Sequence, residues 1–124
     1  MRVFKSKWFD KWATGEGLND ETLLAAVTEM EDGLIDARLG GHVVKKRVAL
    51  PGRGKRGGSR TLVAYRKADK AFFVYGFAKN ARANISTNEL KALRLLATQL
   101  LSYTNPALIK AIKTGELIEV HEDG

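Results

Sequence analysis

The middle of the chain contains the segment Val43-Val44-Lys45-Lys46-Arg47-Val48-Ala49-Leu50, followed by Thr61-Leu62-Val63-Ala64-Tyr65 and Ala71-Phe72-Phe73-Val74-Tyr75-Gly76-Phe77. β-Branched and aromatic residues are frequent in all three runs, and such residues favour strands. Residues 66–70 have the length of a hairpin turn, while residues 51–58 contain four glycines and are predicted to form a loop. The centre of the sequence therefore predicts an antiparallel meander of three strands.

Helical patterns flank this meander. Asn19 is a good N-cap, and apolar residues recur behind it at three- or four-residue spacing as far as Leu34. Ser86 is followed three residues later by Glu89, which is the capping-box pattern of a second long helix. Shorter patterns predict helices at 6–14 and 107–113 and strands at 2–5 and 117–120. This order predicts an α+β domain, an antiparallel β-sheet with helices packed on one face.

The 124 residues fit one domain, and their net charge of +7 is unevenly distributed. Between Lys45 and Arg82 lie twelve of the 21 basic residues and only one of the 14 acids, Asp69. The rest of the chain therefore carries nine bases against thirteen acids. Clustered cations gain free energy by releasing counterions from a phosphate backbone, so this division predicts a polyanionic partner. The alternative is a solvated basic surface without a ligand.

The composition also excludes several classes of protein. The chain has no cysteine, which excludes disulfide scaffolds, thiolate zinc sites and cysteine nucleophiles. No apolar run approaches the roughly 20 residues of a membrane helix, and the first residues lack the apolar core of a signal peptide. The loop before Arg60 is not a Walker A motif, because Lys55 is followed by Arg56 instead of Ser or Thr. We therefore expect a cytoplasmic protein with no membrane partner, metal or small-molecule cofactor.

The alternation of side chains along a strand groups the central cations. Lys45 and Arg47 are two residues apart and must project from the same face of the sheet, whereas Lys46 points to the other face. Arg60 begins the next predicted strand and Lys79 follows the third, so we expect both to line the face of Lys45. Because Asp69 is the one acid in this stretch, a polyanion is expected to balance the converging charges.

The histidines and aromatic residues are weaker candidates for the site. His42 stands beside two glycines and is predicted to be a turn residue, and His121 lies in an acidic tail that repels phosphate. Trp8 and Trp12 stand at helical spacing, which predicts burial in the core instead of stacking on bases. Tyr75 and Tyr65 are candidates for stacking on nucleobases.

Three motifs stand in order along this part of the chain. They are Val44-Lys45-Lys46-Arg47-Val48-Ala49, then Gly52-Arg53-Gly54-Lys55-Arg56-Gly57-Gly58-Ser59-Arg60, then Phe72-Phe73-Val74-Tyr75-Gly76-Phe77-Ala78-Lys79-Asn80. The ordered set resembles the RelE/ParE-like toxins of bacterial type II toxin–antitoxin systems, especially their HigB-like branch. The resemblance extends over nearly the whole chain and implies a microbial RNase-like fold. It also implies a metal-independent endoribonuclease that cuts mRNA on the ribosome and is silenced by a cognate antitoxin.

The resemblance assigns roles to individual cations. By position, Lys45 and Arg47 resemble the paired strand cations near the scissile phosphate, and Arg60 resembles the arginine that stabilises this phosphate. In such a reaction the 2′-OH attacks the adjacent phosphate, which requires a base on the hydroxyl, cations on the phosphate and an acid at the leaving oxygen. The candidate RNA-binding residues are Arg53, Lys55, Arg56, Lys79, Arg82 and Tyr75.

Two positions depart from the family pattern. Some ribosome-dependent relatives carry Arg and Tyr where this chain has Asn80 and approximately Ser86, which leaves the leaving-group acid unassigned. Relatives of the ParE type share the fold but poison DNA gyrase without cutting RNA. The alternatives are therefore a gyrase poison of the same fold or a non-catalytic RNA-binding module.

Overall fold

A computed structural model of the chain describes residues 1–52 and 54–121, and of residues 54–56 it describes the backbone alone. Within these residues, six strands form one sheet in the order β2-β3-β4-β5-β1-β6. The strands are β1 (Arg2–Ser6), β2 (Ala37–Arg38), β3 (Val43–Leu50), β4 (Gly54–Arg66), β5 (Lys70–Ala78) and β6 (Leu117–Val120). The predicted meander corresponds to β3, β4 and β5, which pair antiparallel in sequence order.

The helices are α1 (Lys7–Glu16), α2 (Asp20–Glu31), α3 (Thr87–Leu101) and α4 (Asn105–Lys113). In each helix the side chain of the N-cap residue accepts a hydrogen bond from a backbone N–H of the first turn. The Asn19 side chain accepts from the Thr22 backbone at the start of α2, and Ser86 and Glu89 form the predicted capping box of α3. None of the helices in the described part of the chain is long and apolar enough to span a membrane.

The fold is α+β, as predicted, but it differs from the expected sheet in two respects. β1 and β5 run parallel, so the sheet is mixed. Helices also cover both faces: α1 and α2 pack with Val63 on one side, whereas α3 and α4 pack with Leu62 on the other. The reason is visible in β4, where Leu62, Val63 and Ala64 are all fully buried. A strand buried on both faces requires a covering layer on each side.

Two local predictions also need correction. The segment 51–58 is not a loop throughout, because β4 already begins at Gly54 and extends the hairpin with β3. The short strand β2 was not predicted, because two residues are too few for an alternating pattern to show.

A bulge in β5 separates the two ends of this strand. Leu62 pairs with Tyr75 but Val63 pairs with Phe73, so Val74 is an extra residue in β5. Just beyond it, Gly76 lies under the indole of Trp12, and a Cβ there would stand 2.4 Å from the ring. Glycine at this position therefore lets α1 pack closely on β5.

This contact predicts the effect of adding one methyl group. Gly76→Ala should destabilise the fold by roughly 1–3 kcal/mol, because the Trp12 ring or the backbone has to shift. Thermal unfolding followed by circular dichroism measures the effect. Gly15→Ala is the matched control, because Gly15 lies within α1 with no atom near its Cβ position and should become slightly more stable. Equal melting temperatures for Gly76→Ala and the parent protein would contradict the packing described.

Candidate nucleic-acid interface

The predicted catalytic cations lie on neighbouring strands of the sheet face that also carries α3. Arg47 on β3 and Arg60 on β4 are direct cross-strand partners, and Arg60 is in turn paired with Phe77 on β5. Lys45 is two residues from Arg47 on the same face and is paired with Leu62. We refer to Lys45, Arg47 and Arg60 together as the cationic face. Opposed residues of an antiparallel pair have Cβ atoms about 5 Å apart, so the two arginines are close neighbours.

The three cations of this face differ in their access to solvent. The Arg47 side chain is 49% exposed, and its Nε lies 3.6 Å from Asp36 Oδ1. Lys45 is partly exposed and makes no ion pair with any described residue. Arg60 is only 7% exposed, and its Nη1 donates to the Ser59 carbonyl at 3.4 Å. Lys45 and Arg47 therefore present most of the accessible charge.

Lys46 points to the opposite face, as the alternation predicts. Its Nζ lies 2.7 Å from Glu29 Oε1 on α2 and donates to the Leu34 carbonyl at 2.9 Å. The side chain is almost fully buried by these contacts. Lys46 is therefore a structural residue and adds no charge to the cationic face.

Several carboxylates from outside the central stretch balance part of its charge. Besides Glu29, Asp36 accepts from the Arg47 backbone N–H at 2.6 Å, and Glu89 binds Arg82 through both oxygens at 2.6 and 3.0 Å. The expectation that Asp69 alone is available was therefore wrong. Asp69 itself pairs with Arg66 and Lys70 at the β4–β5 turn. These acids are distant in sequence, so a charge count along the chain does not reveal them.

Arg82 is the centre of a small network beside the cationic face. It binds Glu89, donates to the Tyr75 hydroxyl at 3.1 Å, and lies with its guanidinium carbon 5.5 Å from the centroid of the Phe77 ring. The hydrogen bonds from Arg82 and from the Ser86 backbone lower the pKa of Glu89 to about 2. The Arg82 guanidinium is thus already paired with a carboxylate, and its hydrogen bond to the hydroxyl holds Tyr75 in place.

The remaining candidates have separate positions. Lys79 is exposed just after β5, where its backbone N–H donates to the Gly58 carbonyl. Arg53 lies outside the described residues, and Lys55 and Arg56 are described only as backbone of β4. Tyr65 is not available for stacking, because it is buried and its hydroxyl donates to Glu31. His42 is an exposed turn residue with a positive φ of 64°, and its carbonyl accepts from Tyr65.

Trp8 is the aromatic residue that the sequence pattern misplaced. It is 47% exposed and stacks on Tyr75, with ring centroids 4.6 Å apart. Helical spacing with Trp12 predicted burial for both, but Trp12 alone packs against the core. The exposed indole adjoins the Arg82 network through Tyr75.

The described residues contain no cluster of three or more histidine, aspartate or glutamate side chains that could hold a metal ion. A family model described as the RelE toxin of the RelE/RelB toxin–antitoxin system matches residues 1–120. The chain belongs to the RelE toxin family. No curated protein matches the sequence. As a RelE toxin, the protein belongs to a toxin–antitoxin system and has a cognate antitoxin as its partner.

The Arg82–Glu89 pair of this RelE toxin makes its stability depend on pH. The folded-state pKa of Glu89 lies below its ordinary value of 4.5, so the stabilisation is fully present above pH 4.5. It is lost as the pH falls toward 2. Glu89→Gln should therefore melt lower than the parent at neutral pH and lose less stability between pH 5 and about 2.

Differential scanning calorimetry across that pH range provides the test. Glu16→Gln is the matched control, because Glu16 makes no ion pair with a described residue and should keep the parent's pH profile. Parallel profiles for Glu89→Gln and the parent would contradict the role assigned to this ion pair.

Proposed function

We propose that this RelE toxin is a metal-independent endoribonuclease that cuts mRNA on the ribosome and thereby inhibits translation. The observation that carries the proposal is the placement of Lys45, Arg47 and Arg60 on one sheet face in adjacent register. Their side chains offer N–H donors, which bind phosphate oxygens well and are not metal ligands when protonated.

Each cation of this face has a proposed part in the reaction. The Arg47 guanidinium, half exposed, clamps the phosphate and stabilises the charge that develops on it. Lys45 stands on the same strand two residues away, where its side chain, as the neutral amine, accepts the proton of the attacking 2′-OH. Arg60, opposite Arg47, adds positive charge from below the phosphate. The acid that protonates the leaving oxygen is not assigned.

A cavity adjoins Arg47. A cavity of about 330 Å³ is lined by Arg47, Asp36 and Lys46 together with residues 33–35. This volume is near the lower end of the range of ligand pockets, roughly 300–1,000 Å³. Because the Asp36 carboxylate in its lining is already bound to Arg47 and repels phosphate, no RNA group is assigned to this cavity.

Residues around the cationic face are proposed to dock the RNA. Lys79 is exposed just after β5. Lys55 and Arg56 belong to the first part of β4, which leads to Arg60, and Arg53 precedes this strand in the sequence. Phosphate contacts of this kind position a nucleic acid without reading its sequence. Arg82 and Tyr75 are the remaining proposed RNA-binding residues, and Arg82 acts mainly through its hydrogen bond to the Tyr75 hydroxyl. The membership of the HigB-like branch and the cytoplasmic location stay predictions.

Removing the charge of Arg47 tests the proposal in cells. Expression of the parent toxin should arrest growth and create new mRNA ends inside translated codons. Arg47→Gln should reduce cleavage about 100-fold or more, as expected for loss of a donor that stabilises transition-state charge. Lys110→Gln is the matched control, because this exposed lysine lies on α4, which packs beside β6.

Transcript-end mapping distinguishes the alternatives in the same experiment. Intact mRNA with a DNA-damage response would support a gyrase poison, and intact mRNA with neither response would support a plain RNA-binding module. Either result contradicts the nuclease.

Arg60 requires a separate pair of variants, because it is nearly buried. Arg60→Ala should relieve growth arrest, and Arg60→Lys should retain part of the activity because the positive charge stays in place. Circular dichroism of both variants checks that the domain is folded. A folded Arg60→Ala protein that remains fully toxic would contradict the phosphate-stabilising role.

A further inference from the structure

An exposed indole lies next to the cationic face, and the proposed cleavage reaction does not use it. Trp8 is 47% exposed even though its ring stacks on Tyr75 with an interplanar angle of 22°. On its own helix it lies nearly parallel to Trp12, with ring centroids 6.3 Å apart. Among the exposed large apolar side chains in the described part of the chain, Trp8 is the only aromatic one.

The local backbone explains why Trp8 is held at this position. β1 ends at Ser6, whose hydroxyl caps α1 and also donates to the Val74 carbonyl at 3.3 Å. β1 pairs with β5 only as far as Phe73, so the first turn of α1 lies beside the bulge at Val74. Tyr75 follows this bulge and meets the Trp8 ring. Bulges commonly redirect a side chain next to a functional site.

The aromatic pair is connected directly to the candidate nucleic-acid interface. The Tyr75 hydroxyl accepts from Arg82, whose guanidinium lies over the Phe77 ring, and Phe77 is the cross-strand partner of Arg60 of the cationic face. One inter-strand spacing and two residues along β5 separate Arg60 from Tyr75, or roughly 8 Å. A nucleotide next to a phosphate held on the cationic face can therefore bring its base to the aromatic pair.

We propose that Trp8 and Tyr75 form a stacking platform for a nucleobase of single-stranded RNA whose phosphates lie on the cationic face. The choice of RNA as the polyanion rests on the proposed function. Aromatic side chains beside a row of cations are the usual arrangement for single-stranded nucleic acids, because every base has a face that stacks.

A protein partner is the less favoured occupant of this surface. Protein interfaces have a buried centre made of several apolar residues. The other exposed large apolar residues lie on different segments of the chain: Met1 at the amino end, Leu34 after α2, Leu95 on α3 and Ile109 on α4. Lys11, which is exposed and stands three residues beyond Trp8 on α1, adds a cation on this side of the helix.

Fluorescence tests the platform, because Trp8 and Trp12 are the two tryptophans of the chain. Trp12→Phe leaves Trp8 as the reporter, and Trp8→Phe leaves Trp12. The probe is a 2′-O-methyl oligoribonucleotide of about eight nucleotides, which lacks the attacking hydroxyl. Heparin serves as a polyanion without bases. We expect the oligonucleotide to quench Trp8 but not Trp12, and heparin to quench neither.

Affinity measurements complete the test. Trp8→Leu should weaken oligonucleotide binding about tenfold, whereas Trp8→Phe should retain most of it, because stacking depends on an aromatic face. Heparin affinity should not change in either variant, while Arg47→Gln should weaken both ligands. Melting temperatures confirm that the variants are folded, and the Trp12→Phe quenching result stands even if Trp8→Leu does not fold.

Three outcomes would overturn the platform. They are unchanged RNA affinity in Trp8→Leu, quenching of Trp8 by heparin to the same extent as by RNA, and loss of antitoxin neutralisation in Trp8→Leu with RNA binding intact. The last outcome would assign the surface to the antitoxin. Failure of the proposed function has a different signature: Trp8 is quenched by the oligonucleotide, but the parent toxin leaves mRNA uncut on translating ribosomes.

Discussion

The buried ion pair between Lys46 and Glu29 fixes the register on which the candidate site depends. Lys46 is 4% exposed, and the partner carboxylate comes from α2 on one side of the sheet. Since side chains alternate along β3, holding Lys46 on the α2 side forces Lys45 and Arg47 to the other side. A slip of one residue would turn Lys46 away from the α2 side, and with it Val44 and Val48, which are buried in the core beneath α2.

Two hydroxyl groups extend this constraint to the next strand. Thr61 donates to the Lys46 carbonyl and Ser59 donates to the Val48 carbonyl, both at 2.9 Å and both buried. Arg60 lies between these two residues and must therefore point to the face of Arg47. The convergence of cations on one face is thus a consequence of buried polar contacts on the other face, which hold β3 and β4 together.

The parts of the fold that were predictable from sequence depend on contacts between near neighbours. The Ser86 capping box, the Asn19 N-cap and the β-branched runs of the meander all act within a few residues, so their patterns are visible in the chain. The parallel pairing of β1 with β5 and the helices on both faces depend on how distant segments meet. For the same reason the sequence did not reveal the carboxylates of Asp36 and Glu89, which reach the central cations from outside the basic stretch. Trp8 was misplaced because helical spacing does not show that α1 begins beside the bulge in β5, where Trp8 stacks on Tyr75.

The chemistry of the cut ends tests the central claim, that cations on one sheet face promote attack by the 2′-OH of RNA. The mRNA ends that the toxin produces on translating ribosomes are sequenced and chemically characterised. One of the messages carries a single 2′-deoxynucleotide at the cut site. We expect a 5′-hydroxyl on one fragment, a 2′,3′-cyclic or derived phosphate on the other, and no cut in the deoxy-substituted message. A 5′-phosphate with a 3′-hydroxyl, or cleavage of the substituted message at the normal rate, would contradict the central claim.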